Sequence, residues 1–272
     1  MQQAEATTTR VFIAAATSPS AESAESYIRS LTNAEIDVTH VPYDQIAMLG
    51  DQAKGADASL IVLVVDADED GHIDLETAFA RYSLDSDLPV LVLRRRAGKE
   101  PGFGPTTRIV VPLDGSATAA QALPLATRLA RFTGLPVRFV MVIDPSRVIP
   151  ASYAYDPEAW GVINDLRQTA HWALRQAEEQ LRSKGIEVES DLLFGPVNAC
   201  LRDLLEETDM VVMTTHGSGR ATRRRVGSVA RRVLASMPQP IVIMRAAVQA
   251  DVIVDGYEAC SWVEPLGHRS RA

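Results

Sequence analysis

The chain has little sulfur chemistry to offer, with two cysteines, Cys200 and Cys260, in 272 residues. Two thiols cannot build a disulfide framework, and neither stands at metal-ligand spacing from a histidine or another cysteine. Both read as reduced thiols, as expected in the cytoplasm. Long apolar runs are missing too. The longest, "LIVLVV" at 60–65, falls far short of the ~20 residues a membrane helix needs. The opening "MQQAEATTTR" carries no apolar segment behind its first charges, so no signal peptide is read. Positive charge is also scarce: 27 Lys and Arg stand against 35 Asp and Glu, a net charge of −8. That balance argues against bulk nucleic-acid binding. The expectation is a cytoplasmic protein with neither membrane nor nucleic acid as partner.

What is present is rhythm. Short apolar runs recur as "VFIAAA" (11–16), "IDVTHV" (36–41), "LIVLVV" (60–65), "VLVL" (90–93) and "RIVVPL" (108–113). They continue as "VRFVMVI" (137–143), "VESDLLF" (188–194), "MVVM" (210–213) and "IVIM" (241–244). Most are continuous, which suits parallel strands covered on both faces. Helical spacing lies between them. Ser116–Phe132 carries an apolar stripe, with Pro124 inside it as a kink and Gly134 as its stop. A longer helix is predicted from about Pro157 to Lys184, with Trp160, Trp172, Leu166 and Leu174 read as packing residues. Strand–helix alternation of this kind predicts a doubly wound α/β sheet.

The rhythm runs twice. "TRVFIAAATS" (9–18) lies over "TRIVVPLDGS" (107–116) without gaps. "ASLIVLVVDA" lies likewise over "TDMVVMTTHG", and "SDLPVLVLRR" over "MPQPIVIMRA". A Gly/Pro/Lys stretch between them has linker composition. The expected organisation is a first domain at 1–95, a linker at 96–106, a second domain at 107–246 and a tail at 247–272.

One loop departs from the apolar rhythm. "THGSGRATRRRVGSV", Thr215 to Val229, holds three glycines and four arginines. Glycines let backbone N–H groups turn toward an anion at close range. A helix predicted from Val229 would add free N–H groups and a positive dipole end, and the Ser228 hydroxyl another donor. Arg220, Arg223, Arg224 and Arg225 supply charge. In an open parallel sheet, ligands bind beyond the carboxyl ends of the strands. Asp114, which ends "RIVVPL", could accept hydrogen bonds there from a ribose or a base. The same loop could also be a solvated turn. It is neither a Walker A loop nor the G-x-G-x-x-G fingerprint.

Residues 107–245 resemble a universal stress protein domain. ATP-binding members of that family carry G-x-x-G-x9-G-S/T after the fourth strand and an Asp ending the first. Here Gly217, nine residues, then Gly227, Ser228 and Val229 match, "PLDGS" matches the first strand end, and "FVMVID" the second. The resemblance implies the adenine nucleotide α-hydrolase-like fold in two tandem domains, with ATP, alone or with Mg²⁺, in the second. It places Asp114 and the backbone near Val142 at adenine and ribose. It places Gly217, Gly227, Ser228 and Val229 at the phosphates, with Arg220 and Arg223 as further contacts. Thr214 stands where the motif has its first glycine, so a Cβ occupies that place. It further implies a nucleotide-dependent stress-response regulator whose terminal strands pair between subunits. The edges "PVLVLRR" and "PIVIMR" would then join a homo-oligomer or an internal pseudo-dimer. No base for ATP hydrolysis is identified, so at most weak turnover is expected.

The corresponding loop of the first half is acidic. "DADEDGHIDLET", Asp66 to Thr77, replaces glycine and arginine by carboxylates that repel a triphosphate, and Ala16 replaces Asp114. Asp66, Asp68 and Asp70 with Gly71, Ile73 and Asp74 fall on positions 1, 3, 5, 6, 8 and 9 of an EF-hand loop. The closing Glu comes one place early, at Glu76, and a strand enters the loop. Weak Ca²⁺ binding and a solvated acidic loop both remain open. The alternative for the whole chain is an interaction scaffold without nucleotide.

Overall fold

The computed structural model describes residues 9–42, 45, 48–67, 88–96, 103–149, 152, 156–215 and 228–246. Each of the nine apolar runs forms a strand. They are β1 (Thr9–Ala15), β2 (Ile36–Pro42), β3 (Leu60–Ala67), β4 (Val90–Arg96) and β5 (Arg108–Leu113). The remainder are β6 (Val137–Ile143), β7 (Val188–Phe194), β8 (Asp209–Thr215) and β9 (Ile241–Arg245). One sheet holds them in the order β2-β1-β3-β4-β9-β8-β5-β6-β7. All its pairs are parallel except β4 with β9, which is antiparallel. This is a mostly parallel α/β fold.

The strands read as continuous apolar runs because helices cover both faces. Side chains alternate across a strand. Val11, Val62, Ile109, Phe139 and Met210 therefore pack on one side, with α1 (Ser18–Ser30), α4 (Ala122–Thr133) and α6 (Pro157–Arg182). Phe12, Ile61, Val110, Val140 and Val211 pack on the other, with α2 (Leu49–Gly55), α7 (Val197–Leu204) and α8 (Ser228–Ser236). Each such side chain contributes roughly 1.5–3 kcal/mol when fully buried.

Two helical expectations are corrected. The stretch 116–132 forms α3 (Ala117–Ala120) and α4, separated at Gln121. Pro124 thereby falls in the first turn of α4, where its missing N–H has no intrahelical partner to lose. Gly134, at φ 73°, closes α4 in the left-handed conformation. Leu174 is buried, but Trp160 and Trp172 are 52% and 40% exposed. The buried stripe of α6 runs through Ile163, Ala170, Ala173, Leu174, Ala177 and Leu181. Trp172 lies on the opposite side of the helix, and Trp160 sits in the first turn at the stripe's margin.

The gapless sequence correspondences reappear in the strand registers. Val11 lies opposite Leu60, and Ile109, its counterpart, lies opposite Met210. Ile61 lies opposite Val90, and Val211 lies opposite Ile241. The two sets of strands meet where Val90, Leu91 and Val92 pair with Ile243, Val242 and Ile241. Helix contacts reinforce that seam. The Arg94 guanidinium donates to the Leu234 carbonyl at the end of α8, and Thr32 Oγ1 donates to Phe132 O at 2.8 Å. Tyr27 of α1 stands edge-on to Phe103 at 5.7 Å, and its hydroxyl is 2.6 Å from Thr106 Oγ1.

At the amino ends of the strands, Arg108 makes a two-pronged contact with Asp209, at 3.0 and 3.1 Å. Asp209 is 1% exposed and also accepts from the Glu206 N–H at 2.9 Å. Carboxylates of Glu206 and Glu189 flank the same guanidinium. The hydrogen bonds that Arg108 donates to Asp209 and the opposing charge hold the Arg108 pKa above its ordinary value, against the effect of burial.

Arg108→Met is expected to lower stability by about 3–5 kcal/mol, because the buried Asp209 carboxylate loses its partner. Adding Asp209→Leu should recover most of that loss in urea unfolding. Tyr27 gives a pH prediction. Burial pushes its pKa from the usual 10 up to about 12, so the folded state holds the phenolic proton more tightly. That contribution is fully present below about pH 10 and is lost as pH rises toward about 12, in all about 2–3 kcal/mol. Tyr27→Phe should flatten this part of the pH–stability curve; an unchanged slope would refute the assignment.

Candidate functional site

The chain leaves β5 for β6 on one side and returns to β8 on the other, so a topological switch point lies between β5 and β8. The carboxyl ends of strands diverge there and leave a crevice. In this chain the crevice is a cleft of about 320 Å³. Its floor and walls are mainly apolar: Leu113, Met141, Val142, Met213, Leu201 and Val229 all line it. The volume lies within the range of small-molecule sites.

Polar groups enter at the mouth. Asp114 follows β5, and Gly115, at φ 80°, turns the chain immediately after it. One Asp114 oxygen, Oδ1, accepts from the Ser116 N–H at 3.0 Å and from its hydroxyl at 2.6 Å. Ser116 Oγ in turn accepts from Ala119 N at 3.1 Å and caps α3. Among the described residues, Asp114 Oδ2 carries no hydrogen bond.

Asp144, after β6, repeats the device. Its Oδ1 accepts from the Ser146 N–H at 3.1 Å and the Ser146 hydroxyl at 2.6 Å, while Arg147 Nε lies 3.7 Å from Oδ2. These residues belong to the short helix α5 (Pro145–Val148) and its cap, and both Asp144 and Arg147 line the cleft. Sequence reasoning missed this second carboxylate. The signal was present as Asp-x-Ser after two neighbouring strands, "DGS" and "DPS".

Thr214 closes another wall. It is 9% exposed, and its hydroxyl donates to the Thr118 carbonyl at 2.8 Å. The bond ties the end of β8 to α3. Val229 and Ala230, in the first turn of α8, stand beside it in the cleft lining. The structure thus brings Asp114, Val142, Thr214 and Val229 to one cavity, and α8 begins at Ser228. Gly217, Arg220, Arg223 and Gly227 lie outside the described residues, as do Asp68 and Asp70 of the acidic loop. The backbone of Asp66, the next-to-last residue of β3, lies opposite Arg95 of β4. No trio of metal-ligating side chains occurs among the described residues.

Chemically, among the described residues the cleft offers an apolar slot, the two carboxylates Asp114 and Asp144 and the Arg147 guanidinium. Burial first, then Asp203 and Asp144, raise the thiol pKa of Cys200, on α7, above the ordinary value, which lowers its thiolate fraction. Among the described residues, no helix is long and apolar enough to cross a membrane.

A mostly parallel sheet with its cleft at the switch point defines a doubly wound α/β protein. The universal stress protein family model matches residues 105–245, just over half of the chain, so the chain belongs to that family. It is similar to universal stress protein MJ0531 of Methanocaldococcus jannaschii, at 27% identity over 51% of this chain and 81% of the relative. It is also similar to universal stress protein Rv2624c of Mycobacterium tuberculosis, at 27% identity over 52% of this chain and 48% of the relative. The match thus spans about half the length of the mycobacterial protein. A solved universal stress protein of Archaeoglobus fulgidus shares the fold at TM-score 0.58 and 16% identity, over 88% of this chain and 98% of its own.

Ser116→Ala removes the cap of α3 and one anchor of Asp114 together. The expected cost is about 1 kcal/mol of stability, read by urea unfolding.

Proposed function

We propose that the cleft binds an adenine nucleotide, ATP alone or with Mg²⁺, and that the protein is a nucleotide-gated stress-response module. One observation carries this reading. An apolar slot at the switch point presents an aspartate with one oxygen held by Ser116 and the other without a hydrogen bond among the described residues. An adenine ring needs such a slot, and ribose hydroxyls need such an acceptor. Asp114 takes the ribose, and the backbone near Val142 takes the adenine edge. Phosphates lie toward Thr214, Gly217, Gly227, Ser228 and Val229, where α8 begins, with Arg220 and Arg223 adding charge. Asp114 and Asp144 disfavour phosphates at the other end of the cleft. A divalent ion would arrive on the phosphates.

We further propose that residues 1–95 and 107–246 are two copies of one unit, of which the second binds and the first scaffolds. The coincident registers and the β4–β9 seam support this. The first copy lacks the aspartate, with Ala16 in its place, and carries the acidic loop. Bound nucleotide would favour one arrangement of the loop at 215–228 and so alter a partner surface by population shift. A homo-oligomer and a cytoplasmic location belong to the same proposal.

The second reading is a scaffold without nucleotide. One observation favours it: the Thr214 hydroxyl is engaged by Thr118, and its side chain adds carbon where the family motif has glycine.

Mass spectrometry of small molecules released from the purified protein is expected to find adenine nucleotide. Calorimetry should show ATP binding that Asp114→Ala weakens by about ten-fold or more, or about 1.4 kcal/mol. Absence of both released nucleotide and binding heat would leave the scaffold reading.

A further inference from the structure

Among the described residues the sheet ends at β7. Its inner side pairs with β6, and it is the terminal strand in the sheet order. Exposed edges usually carry proline, lysine or a covering element, because unpaired N–H and C=O groups are a template for another strand. The opposite edge, β2, ends in Pro42. The run Val188–Phe194 contains neither proline nor lysine. Its carboxylates are drawn to the far face, where Asp191 pairs with Arg138, and Glu189 with Arg108 and Arg138.

On the near face, a groove runs between β7 and α6. Arg167, Gln168, His171, Arg175 and Ser190 line it. Arg167 is oriented by a neutral group, the Asn164 amide oxygen at 2.9 Å, rather than by a carboxylate. Neither His171 nor Arg175 has a side-chain hydrogen bond or an ion pair among the described residues. Val188 and Leu192 pack toward α6 and Leu193 toward the opposite core. By alternation, Phe194, 48% exposed, shares the face of Ser190.

The spacing is informative. Arg167, His171 and Arg175 are four residues apart on a helix, so they rise by about 6 Å per step. Alternate residues of a strand repeat every ~6.6 Å. A strand laid along β7 would therefore bring every second side chain opposite one of these three groups.

We propose that this groove and strand edge bind an acidic, extended segment of a partner protein. It adds as a further strand beside β7, with carboxylates at alternate positions meeting Arg167, His171 and Arg175. Main-chain bonds to the edge supply affinity and the alternate carboxylates supply register. Phe194 offers an apolar contact at the end of the strand. This surface is separate from the cleft, and nucleotide is not required for it.

The test uses the full chain and two labelled peptides of equal composition, Thr-Glu-Thr-Glu-Thr-Glu-Thr and Thr-Thr-Glu-Glu-Glu-Thr-Thr. Fluorescence anisotropy is expected to favour the alternating peptide by about ten-fold or more. The exposed substitutions Arg167→Glu and Arg175→Glu, made separately, should each remove that preference. Circular dichroism checks that each variant is folded. Amide hydrogen exchange should slow in residues 188–194 when the alternating peptide is bound. Equal binding of the two peptides would mean charge adsorption alone and overturn the proposal, as would binding of neither. Sedimentation showing that the edge is occupied by a second copy, with the dimer lost in Arg175→Glu, would overturn it too.

Discussion

Three residue pairs carry the continuity of the sheet. Val90, Leu91 and Val92 lie against Ile243, Val242 and Ile241, the one antiparallel junction among otherwise parallel strands. Without it, β4 and β9 would each present a row of unpaired backbone groups flanked by apolar side chains, a combination that invites association. The junction satisfies both edges at once. It also explains why helices at the seam reach across. Arg94, from the first set of strands, donates to the end of α8, and Tyr27 holds the segment that leads into β5. The helix whose first turn lines the cleft is therefore anchored at its other end by the opposite half of the chain.

The cleft is a product of chain order more than of any one residue. Because β6 and β8 flank β5 on opposite sides, the carboxyl ends of these strands part, and Leu113, Ile143 and Met213 line a common space. Asp114 and Asp144 leave neighbouring strands by the same Asp-x-Ser turn, so each carboxylate is held by a local serine before any ligand arrives. Thr214 draws the third strand end against α3. The result is a pre-formed apolar slot with fixed acceptors, an arrangement that would reduce the ordering cost of the proposed binding.

Much of this was legible in the residues. Runs such as "LIVLVV" and "VRFVMVI" announce strands buried on both faces, and Pro157 with Gly185 brackets the long helix closely. Asp114 was readable because it directly follows an apolar run and precedes Gly-Ser. Other features were hidden. Pro124 signals a disturbance in its helix, but not that the break falls at Gln121, because that depends on where the first turn can restart. Trp172 looks like a core residue by composition, yet the buried stripe of α6 is set by alanines that allow close approach to the sheet. Nothing in its own segment singles out Asp144; proximity of the ends of β5 and β6 is what brings it to the same cleft as Asp114.

Local pattern therefore determined which segments are strands and helices and how they alternate. It also determined that the second half carries a glycine- and arginine-rich loop where the first carries carboxylates. These are properties of period and composition, which act over a few residues. The tertiary structure decided which edges pair, which side of α6 faces water, and which strand ends enclose the cleft. It also decided where the Thr214 hydroxyl is engaged. Those outcomes depend on contacts between residues such as Thr118 and Thr214 or Val90 and Ile243, far apart in the chain and brought together only when both faces of the sheet are covered.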